Sequence, residues 1–110
     1  MEILIRVDHF DYETKSYIPT AIITLENNDD VEFLCEEAYR LTQNIFGSWS
    51  RGPMFEDGTV NEDYDSRVDR IAPLHEENGQ LYGLRSSMMG DHFITPFGIY
   101  ECKMIGFEAI

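Results

Sequence analysis

The chain has 110 residues, of which 43% are hydrophobic and 13% aromatic, so its apolar side chains suffice for one core without a metal or a disulfide. Twenty-one acidic residues against eight basic ones give a net charge of −13. This charge argues against direct binding to nucleic acid or to an anionic membrane, and it favours a protein partner with a basic surface.

The first two elements are predicted to be strands that form a hairpin. In EILIRVDHF, residues 2–10, apolar and polar side chains alternate with the period of two that is typical of a strand. The second apolar run, YIPTAIITLE, is rich in β-branched residues and holds Pro19 near its start, where a missing N–H is tolerated. A short polar connection joins the two runs, so a hairpin is the simplest arrangement.

A helix is predicted over about residues 30–44. Asp29 stands three residues before Glu32, which is the spacing of a capping box, so Asp29 is the predicted N-cap. Apolar residues then recur at helical spacing: Val31, Leu34, Cys35, Ala38 and Leu41.

The segment of about residues 45–66 shows no periodicity and contains several glycines, so we expect it to form a long loop, named here the acidic loop. Beyond it, SRVDRIAPL predicts a short strand, and PFG predicts a tight turn between two further strands. We therefore expect a single domain over residues 1–110. Its predicted class is α+β, with a small antiparallel sheet packed against one main helix.

The two cysteines indicate a cytosolic protein with reduced thiols. Cys35 and Cys102 lie far apart, no C-x-x-C occurs, and the first residues do not resemble a signal peptide. Both thiols are expected in the core as small hydrophobes, with a disulfide between them as the alternative. No apolar run approaches the roughly 20 residues of a membrane span.

No motif points to catalysis or to a bound cofactor. The stretch FEDGTVNEDYDSRVD, residues 55–69, lacks the ligand spacing of an EF-hand loop. The histidines are scattered, although Asp-His-Phe occurs twice, and pairing of those strands would bring His9 and His92 together. No G-x-S-x-G and no phosphate-binding glycine loop occurs. We expect a protein that is not an enzyme and that uses no metal or cofactor.

The acidic stretch is the best candidate for a partner-binding surface. A rigid array of carboxylates can occupy a protein groove built for phosphates and displace its counterions, as DNA would. The alternative is a solvated loop whose charge serves only solubility. The predicted partner-binding residues are Glu56, Asp57, Glu62, Asp63, Tyr64, Asp65 and Asp69.

Residues 85–110 resemble the closing motif of a YodL-like family of small proteins and domains from phages and mobile elements. That motif is Arg-Ser-x-Ser-Val-Gly-Asp, then a strand and a turn, then Tyr-x-Cys-x-x-x-Gly-Phe/Trp. The upstream segment Leu41–Asn44, followed by Trp49, is similar to a segment of some of these proteins. This chain departs from the motif at Met88 and Met89, where the family has Ser-Val. The matching residues are Arg85, Ser86, Gly90, Asp91, Tyr100, Cys102, Gly106, Phe107 and Ile110.

The resemblance implies a mobile-element context, in which such domains accompany factors that counter host defences. Together with the charge, it predicts a non-enzymatic protein of the bacterial cytoplasm that binds and inhibits a host defence protein, with imitation of nucleic-acid charge as the mechanism. One alternative is an accessory or structural interaction domain with no inhibitory role. Another is a small ligand-binding protein or enzyme that uses the turn at Arg85 and Asp91. We expect that turn to be structural, with Arg85 paired to Asp91.

Overall fold

The computed structural model describes all 110 residues and consists mainly of strands. Strands β1 (Glu2–Asp11) and β2 (Ser16–Glu26) pair along their whole length, which confirms the predicted hairpin. One helix, α1 (Val31–Leu41), follows them. The remaining strands are β3 (Val68–Arg70), β4 (His75–Glu77), β5 (Gln80–Tyr82), β6 (His92–Thr95), β7 (Gly98–Cys102) and β8 (Phe107–Ala109).

Six strands form one antiparallel sheet in the order β3-β2-β1-β6-β7-β8, while β4 and β5 form a separate small hairpin. The predicted short strand after the acidic loop is confirmed as β3, which adds to the outer edge of β2. The predicted turn at PFG is also confirmed, because Thr95 pairs with Gly98 across it. β1 therefore lies inside the sheet, between β2 and β6.

The predicted α+β class is wrong. About 40% of the chain is strand and about 10% is helix, so the fold is essentially all-β with one short helix. The helical periodicity was real, but it covers only eleven residues. The strands after residue 67 hold three to five residues each, and in such short segments a period of two is hard to recognise.

Both predicted ends of the helix also need correction. The N-cap is Asp30 rather than Asp29, because the Asp30 carboxylate accepts the N–H of Phe33 at 3.2 Å. The helix ends at Leu41 rather than near residue 44. There the hydroxyl of Thr42 donates to the carbonyl of Ala38 and helps to satisfy the last turn.

The core lies between the helix and one face of the sheet. The apolar face of α1 buries Leu34, Cys35, Ala38 and Leu41. Both cysteines are buried and free, which confirms the prediction of reduced thiols in the core, and burial raises the pKa of the Cys35 thiol to about 12. The sheet contributes Ile5, Val7, Ile23, Leu25, Phe93 and Cys102.

Beyond a β-bulge in the β1–β2 hairpin, the buried residues change from apolar to polar. Val7 pairs with Ala21 and Asp8 pairs with Pro19, which leaves Thr20 as the extra residue of β2. Past the bulge, His9 and Thr20 are buried although both are polar. A second, polar centre therefore forms at this end of the hairpin, and it is the place where the acidic loop is attached. The one helix is neither long nor apolar enough to span a membrane.

Candidate functional site

Asp91 is the centre of the polar region. It lies directly before β6, is fully buried, and accepts four hydrogen bonds. Arg85 donates to both carboxylate oxygens at 2.8 Å, which confirms the predicted pair. The backbone N–H groups of Phe10 and Met88 donate at 2.9 Å and 2.8 Å. We call this arrangement the Asp91 brace, because one carboxylate joins the end of β1, the segment after residue 84 and the start of β6.

The electrostatics of the brace identify it as structural. Burial works to raise the pKa of Asp91, but the hydrogen bonds from Arg85, Phe10 and Met88 outweigh burial and hold that pKa below its usual range. Arg85 also donates to the carbonyls of Phe10 and Ser86. Gly90 has a φ of +98°, a conformation that suits glycine in the turn before Asp91. Both oxygens of Asp91 are already engaged, so the carboxylate has no free position for a substrate.

His9 and Ser87 lie beside the brace, so that an aspartate, a histidine and a serine stand close together. His9 Nε2 is 3.0 Å from Ser87 Oγ and 3.8 Å from Asp91 Oδ2. A Ser-His-Asp triad requires the serine and the aspartate on opposite ring nitrogens, whereas here both approach the same one. Ser87 is also buried. The geometry of a catalytic triad is therefore absent.

Buried hydroxyl groups join His9 to the end of the helix. Ser87 Oγ lies within hydrogen-bond distance of both His9 Nε2, at 3.0 Å, and Thr42 Oγ1, at 2.7 Å. Thr42 Oγ1 also lies 2.8 Å from the carbonyl of Ala38. Burial is the main cause that lowers the pKa of His9, to about 4, so the ring is neutral at pH 7. His9 thus links β1 to the end of the helix.

The two Asp-His-Phe repeats do not form a metal site. Asp8 pairs with His92 across β1 and β6, so His9 and His92 are directed to opposite faces of the sheet. His92 stacks on Tyr17 at a centroid distance of 3.7 Å and contacts Glu101.

Asn61 is the internal support of the acidic loop. Its buried amide accepts the N–H of Ser48 at 2.9 Å and donates to the carbonyls of Ser48 and Gly52 at 2.6 Å and 2.9 Å. Gly47 packs directly against it, because a Cβ at Gly47 would lie 2.3 Å from Asn61 Oδ1. The buried amide of Asn61 therefore holds Ser48 and Gly52 together and fixes the conformation of the first part of the acidic loop.

Asp63 is the second support. A single oxygen, Oδ2, accepts the consecutive N–H groups of Ile45, Phe46 and Gly47 at 2.6, 3.0 and 2.7 Å. Such a run of N–H groups forms an anion-binding nest, and here the anion belongs to the chain itself. The sequence suggested Asp63 for partner binding, but the structure gives its carboxylate a role in building the loop.

Trp49 attaches the acidic loop to the Asp91 brace. Its indole Nε1 donates to the carbonyl of Arg85 at 2.8 Å, and its ring meets His9 edge-on at a centroid distance of 6.0 Å. A second attachment comes from Ser50, whose hydroxyl accepts the N–H of Leu84 at 2.7 Å. The loop is thus held by hydrogen bonds within itself and to the segment that carries Arg85.

Glu56 and Asp57 lie together at the loop tip, residues 54–60, where Met54 and Val60 form an isolated β-bridge. Glu56 pairs with Arg51. Hydrogen bonds from the side chain and the backbone of Thr59 lower the pKa of Asp57. The tip is therefore a small, ordered, acidic hairpin.

The remaining predicted residues are distributed differently. Glu62 and Tyr64 are exposed, and Asp69 is exposed on β3, outside the loop. Asp65 accepts three hydrogen bonds from Arg67, two from the guanidinium and one from the backbone N–H, and they lower the pKa of Asp65 to about 2. Asp65 and Asp69 thus lie outside the loop tip, and Asp65 is paired with Arg67.

Sequence reasoning missed the exposed apolar side chains of the acidic loop. Ile45 and Phe46 are 64% and 78% exposed, and Met54 and Val60 are 59% and 68% exposed. The ring of Phe55 lies 3.4 Å from the Cβ position of Gly47, which places the loop tip beside the Ile45–Phe46 segment. Large apolar side chains held in water on an ordered loop are a mark of an interaction surface. The available signal was the adjacent pair Ile45 and Phe46 directly after the predicted helix, since only Ile45 continues the spacing of the apolar stripe.

Comparisons of the chain with protein-family models, with curated proteins and with solved structures give no match. Kinship with the YodL-like family stays a prediction from residues 85–110. Within that motif, Arg85, Gly90 and Asp91 form the turn and the brace described above.

Replacing Asp91 tests the brace. Asp91→Asn removes the charge that faces Arg85 and turns an amide group toward the same donors, so we expect the free energy of unfolding to fall by about 3 kcal/mol. Urea denaturation followed by circular dichroism measures this loss. Asp69→Asn, an exposed acid of β3, is the matched control and should change stability by no more than about 0.5 kcal/mol. Equal effects of the two substitutions would contradict the brace.

The low pKa of His9 predicts a pH dependence of stability. The unfolded chain takes up a proton at His9 below about pH 6.5, while the folded protein does so only near pH 4. The contribution is therefore complete above pH 6.5, and lowering the pH from 7 to 5 should cost about 2 kcal/mol through this group. His9→Gln keeps a side-chain N–H donor and should remove that part of the loss in urea titrations at the two pH values. His75→Gln, at an exposed histidine, should leave the loss unchanged, and the same result for both variants would refute the assignment.

Replacing Asp63 tests the internal support of the acidic loop. Asp63→Ala leaves three consecutive N–H groups without their acceptor, so amide hydrogen exchange at Ile45, Phe46 and Gly47 should accelerate by about tenfold or more. Exchange in β1 and β6 should stay close to that of the wild type. Glu62→Ala, at the neighbouring exposed acid, is the control and should change neither region. Unaltered exchange at residues 45–47 would show that Asp63 does not order the loop.

Proposed function

We propose that this protein is a non-catalytic binding protein that docks its acidic loop onto a basic surface of a host protein. The observation that carries the proposal is the loop itself, in which exposed acidic and apolar side chains stand on a scaffold made by Asn61, Asp63 and Trp49. Binding through a flexible loop loses affinity to the entropy of ordering, whereas a loop that is ordered beforehand avoids much of that cost. The scaffold therefore supports a role in recognition.

The composition of the loop surface defines the partner. Glu56, Asp57 and Glu62 supply negative charge, and the net charge of −13 steers a basic partner toward the protein. Phe46 is an exposed aromatic side chain of the kind that supplies much of the energy of protein interfaces. We expect the charges to determine the encounter and the choice of partner, and the apolar side chains to contribute affinity that salt does not screen.

The proposed activity is inhibition of a host defence protein that handles nucleic acid, in the cytoplasm of a bacterial host. A basic surface that binds phosphates carries positive charge, which complements the negative charge of the loop tip. A loop bound to that surface prevents nucleic acid from binding there. The resemblance of residues 85–110 to a family from phages and mobile elements supports this context. The apolar component refines the charge-imitation hypothesis, because DNA offers no counterpart to Phe46 or Ile45.

The test uses tagged wild-type protein and two loop variants to capture and quantify a partner from bacterial lysate. The charge variant Glu56→Gln/Asp57→Asn/Glu62→Gln should weaken binding by about tenfold at low salt and flatten its salt dependence. The apolar variant Phe46→Ser should weaken binding at every salt concentration. Calorimetry of the purified partner between low and high salt measures both effects, and duplex DNA should displace the partner.

The matched control removes the same number of charges elsewhere. Glu76, Glu77 and Glu108 lie on β4 and β8, outside the acidic loop, and are exposed. The variant Glu76→Gln/Glu77→Gln/Glu108→Gln should bind within about twofold of the wild type. A partner that ignores both loop variants and is not displaced by DNA would refute the proposed function.

A further inference from the structure

An open cavity of about 520 Å³ lies beside the Asp91 brace, and neither the brace nor the acidic loop uses it. It is bounded by the end of β1, the turn into β2, residues 72–73 and the segment of Leu84 and Arg85. This volume is within the range of protein sites that hold small molecules or single side chains. The cavity also borders the base of the acidic loop, because Leu84 donates its N–H to Ser50.

The walls of the cavity combine aliphatic and aromatic surface. Ile18, Pro73 and Leu84 provide aliphatic contacts. Phe10 and Tyr12 meet edge to face at a centroid distance of 4.9 Å, and Tyr12 is 61% exposed. An aromatic ring that remains open to solvent, as that of Tyr12 does, can receive a cation on its face.

The charged groups of the cavity leave an excess of negative charge. One oxygen of Asp11 accepts the N–H of Glu13 at 2.9 Å, while its other oxygen makes no hydrogen bond. The Glu13 carboxylate is exposed and has no ion-pair partner within the chain. The positive charge of Arg85 is matched by Asp91, which accepts two hydrogen bonds from it. An anionic ligand would therefore meet two unmatched carboxylates.

We propose that the cavity binds a guanidinium or ammonium group on an aliphatic stem, namely an arginine or lysine side chain of the basic partner. This inference rests on the proposed function and adds a second point of contact to it. The carboxylates of Asp11 and Glu13 bind the cation, and the exposed ring of Tyr12 adds cation–π attraction. The aliphatic wall accommodates the methylene stem, as apolar protein surfaces commonly do for these side chains.

The test uses the peptide acetyl-Gly-Arg-Gly-amide and its citrulline analogue, which has nearly the same shape but no charge. Titrated into the ¹⁵N-labelled protein, the arginine peptide should give saturable shifts of the amide signals of residues 10–13 and of Leu84. The citrulline peptide should bind about tenfold more weakly. Absence of saturable shifts, or equal affinity for the two peptides, would overturn the proposal.

Two variants connect the binding to the proposed residues. Glu13→Gln removes a carboxylate that has no partner within the chain, and Asp11→Asn keeps the oxygen that accepts the turn N–H. Each substitution should lower the affinity for the arginine peptide by about threefold or more, and Tyr12→Leu should also lower it. Affinity unchanged in all three variants would place the peptide elsewhere and overturn the proposal.

A final comparison separates this inference from the proposed function. The loop charge variant Glu56→Gln/Asp57→Asn/Glu62→Gln should bind the arginine peptide as the wild type does, while Glu13→Gln should weaken capture of the protein partner. Loss of partner binding in the loop variant alone would leave the proposed function in place and overturn the role of the cavity. Peptide binding without any effect of Glu13→Gln on the partner would overturn the assignment of the cavity to that partner.

Discussion

Asp91 is a fully buried carboxylate, so all its hydrogen bonds must come from within the protein. Its four donors come from places that are distant in the sequence: the end of β1, the guanidinium of Arg85 and the backbone of the intervening turn. Satisfying Asp91 therefore fixes the relative position of these segments. The neighbouring polar residues His9, Thr42 and Ser87 are ordered in turn, and no buried side-chain polar atom in the protein lacks a partner.

The acidic loop depends on the same constraint. Trp49 reaches the carbonyl of Arg85, so the residue that neutralises Asp91 also presents the anchor of the loop. Beyond Trp49, the side chains of Asn61 and Asp63 bind backbone N–H and C=O groups of the loop. In a strand or helix these groups would bind other backbone groups. Polar side chains thus order the acidic loop, which lies outside the hydrophobic core. A binding function is proposed for this loop because its exposed side chains stand on an ordered backbone.

The sequence allowed prediction of the features that depend on local pattern. The β1–β2 hairpin follows from alternation, and the Arg85–Asp91 pair follows from two opposite charges around a turn with glycine. It did not allow the fold class to be predicted. The strands on either side of PFG were expected, but the helix was given more weight than its eleven residues carry, and local pattern does not show the pairing that joins β1 to β6 and β7 to β8 in one six-stranded sheet. The role of Asp63 was hidden for a related reason. An acid in a loop has the same local sequence whether its carboxylate faces water or three N–H groups contributed by residues 45–47.

The inner position of β1 has a consequence for how the protein is made. β1 pairs first with β2, its neighbour in the chain, but its other edge pairs with β6, where Arg6 meets Ile94. During synthesis the hairpin therefore leaves the ribosome with an open edge that presents the unpaired backbone groups of residues 6–8, and that edge stays unpaired until residues 92–95 emerge. The same late segment brings Asp91, so completion of the sheet and formation of the brace coincide. Until that segment emerges, the open edge of β1 is a site for misassociation, which electrostatic repulsion between negatively charged chains opposes.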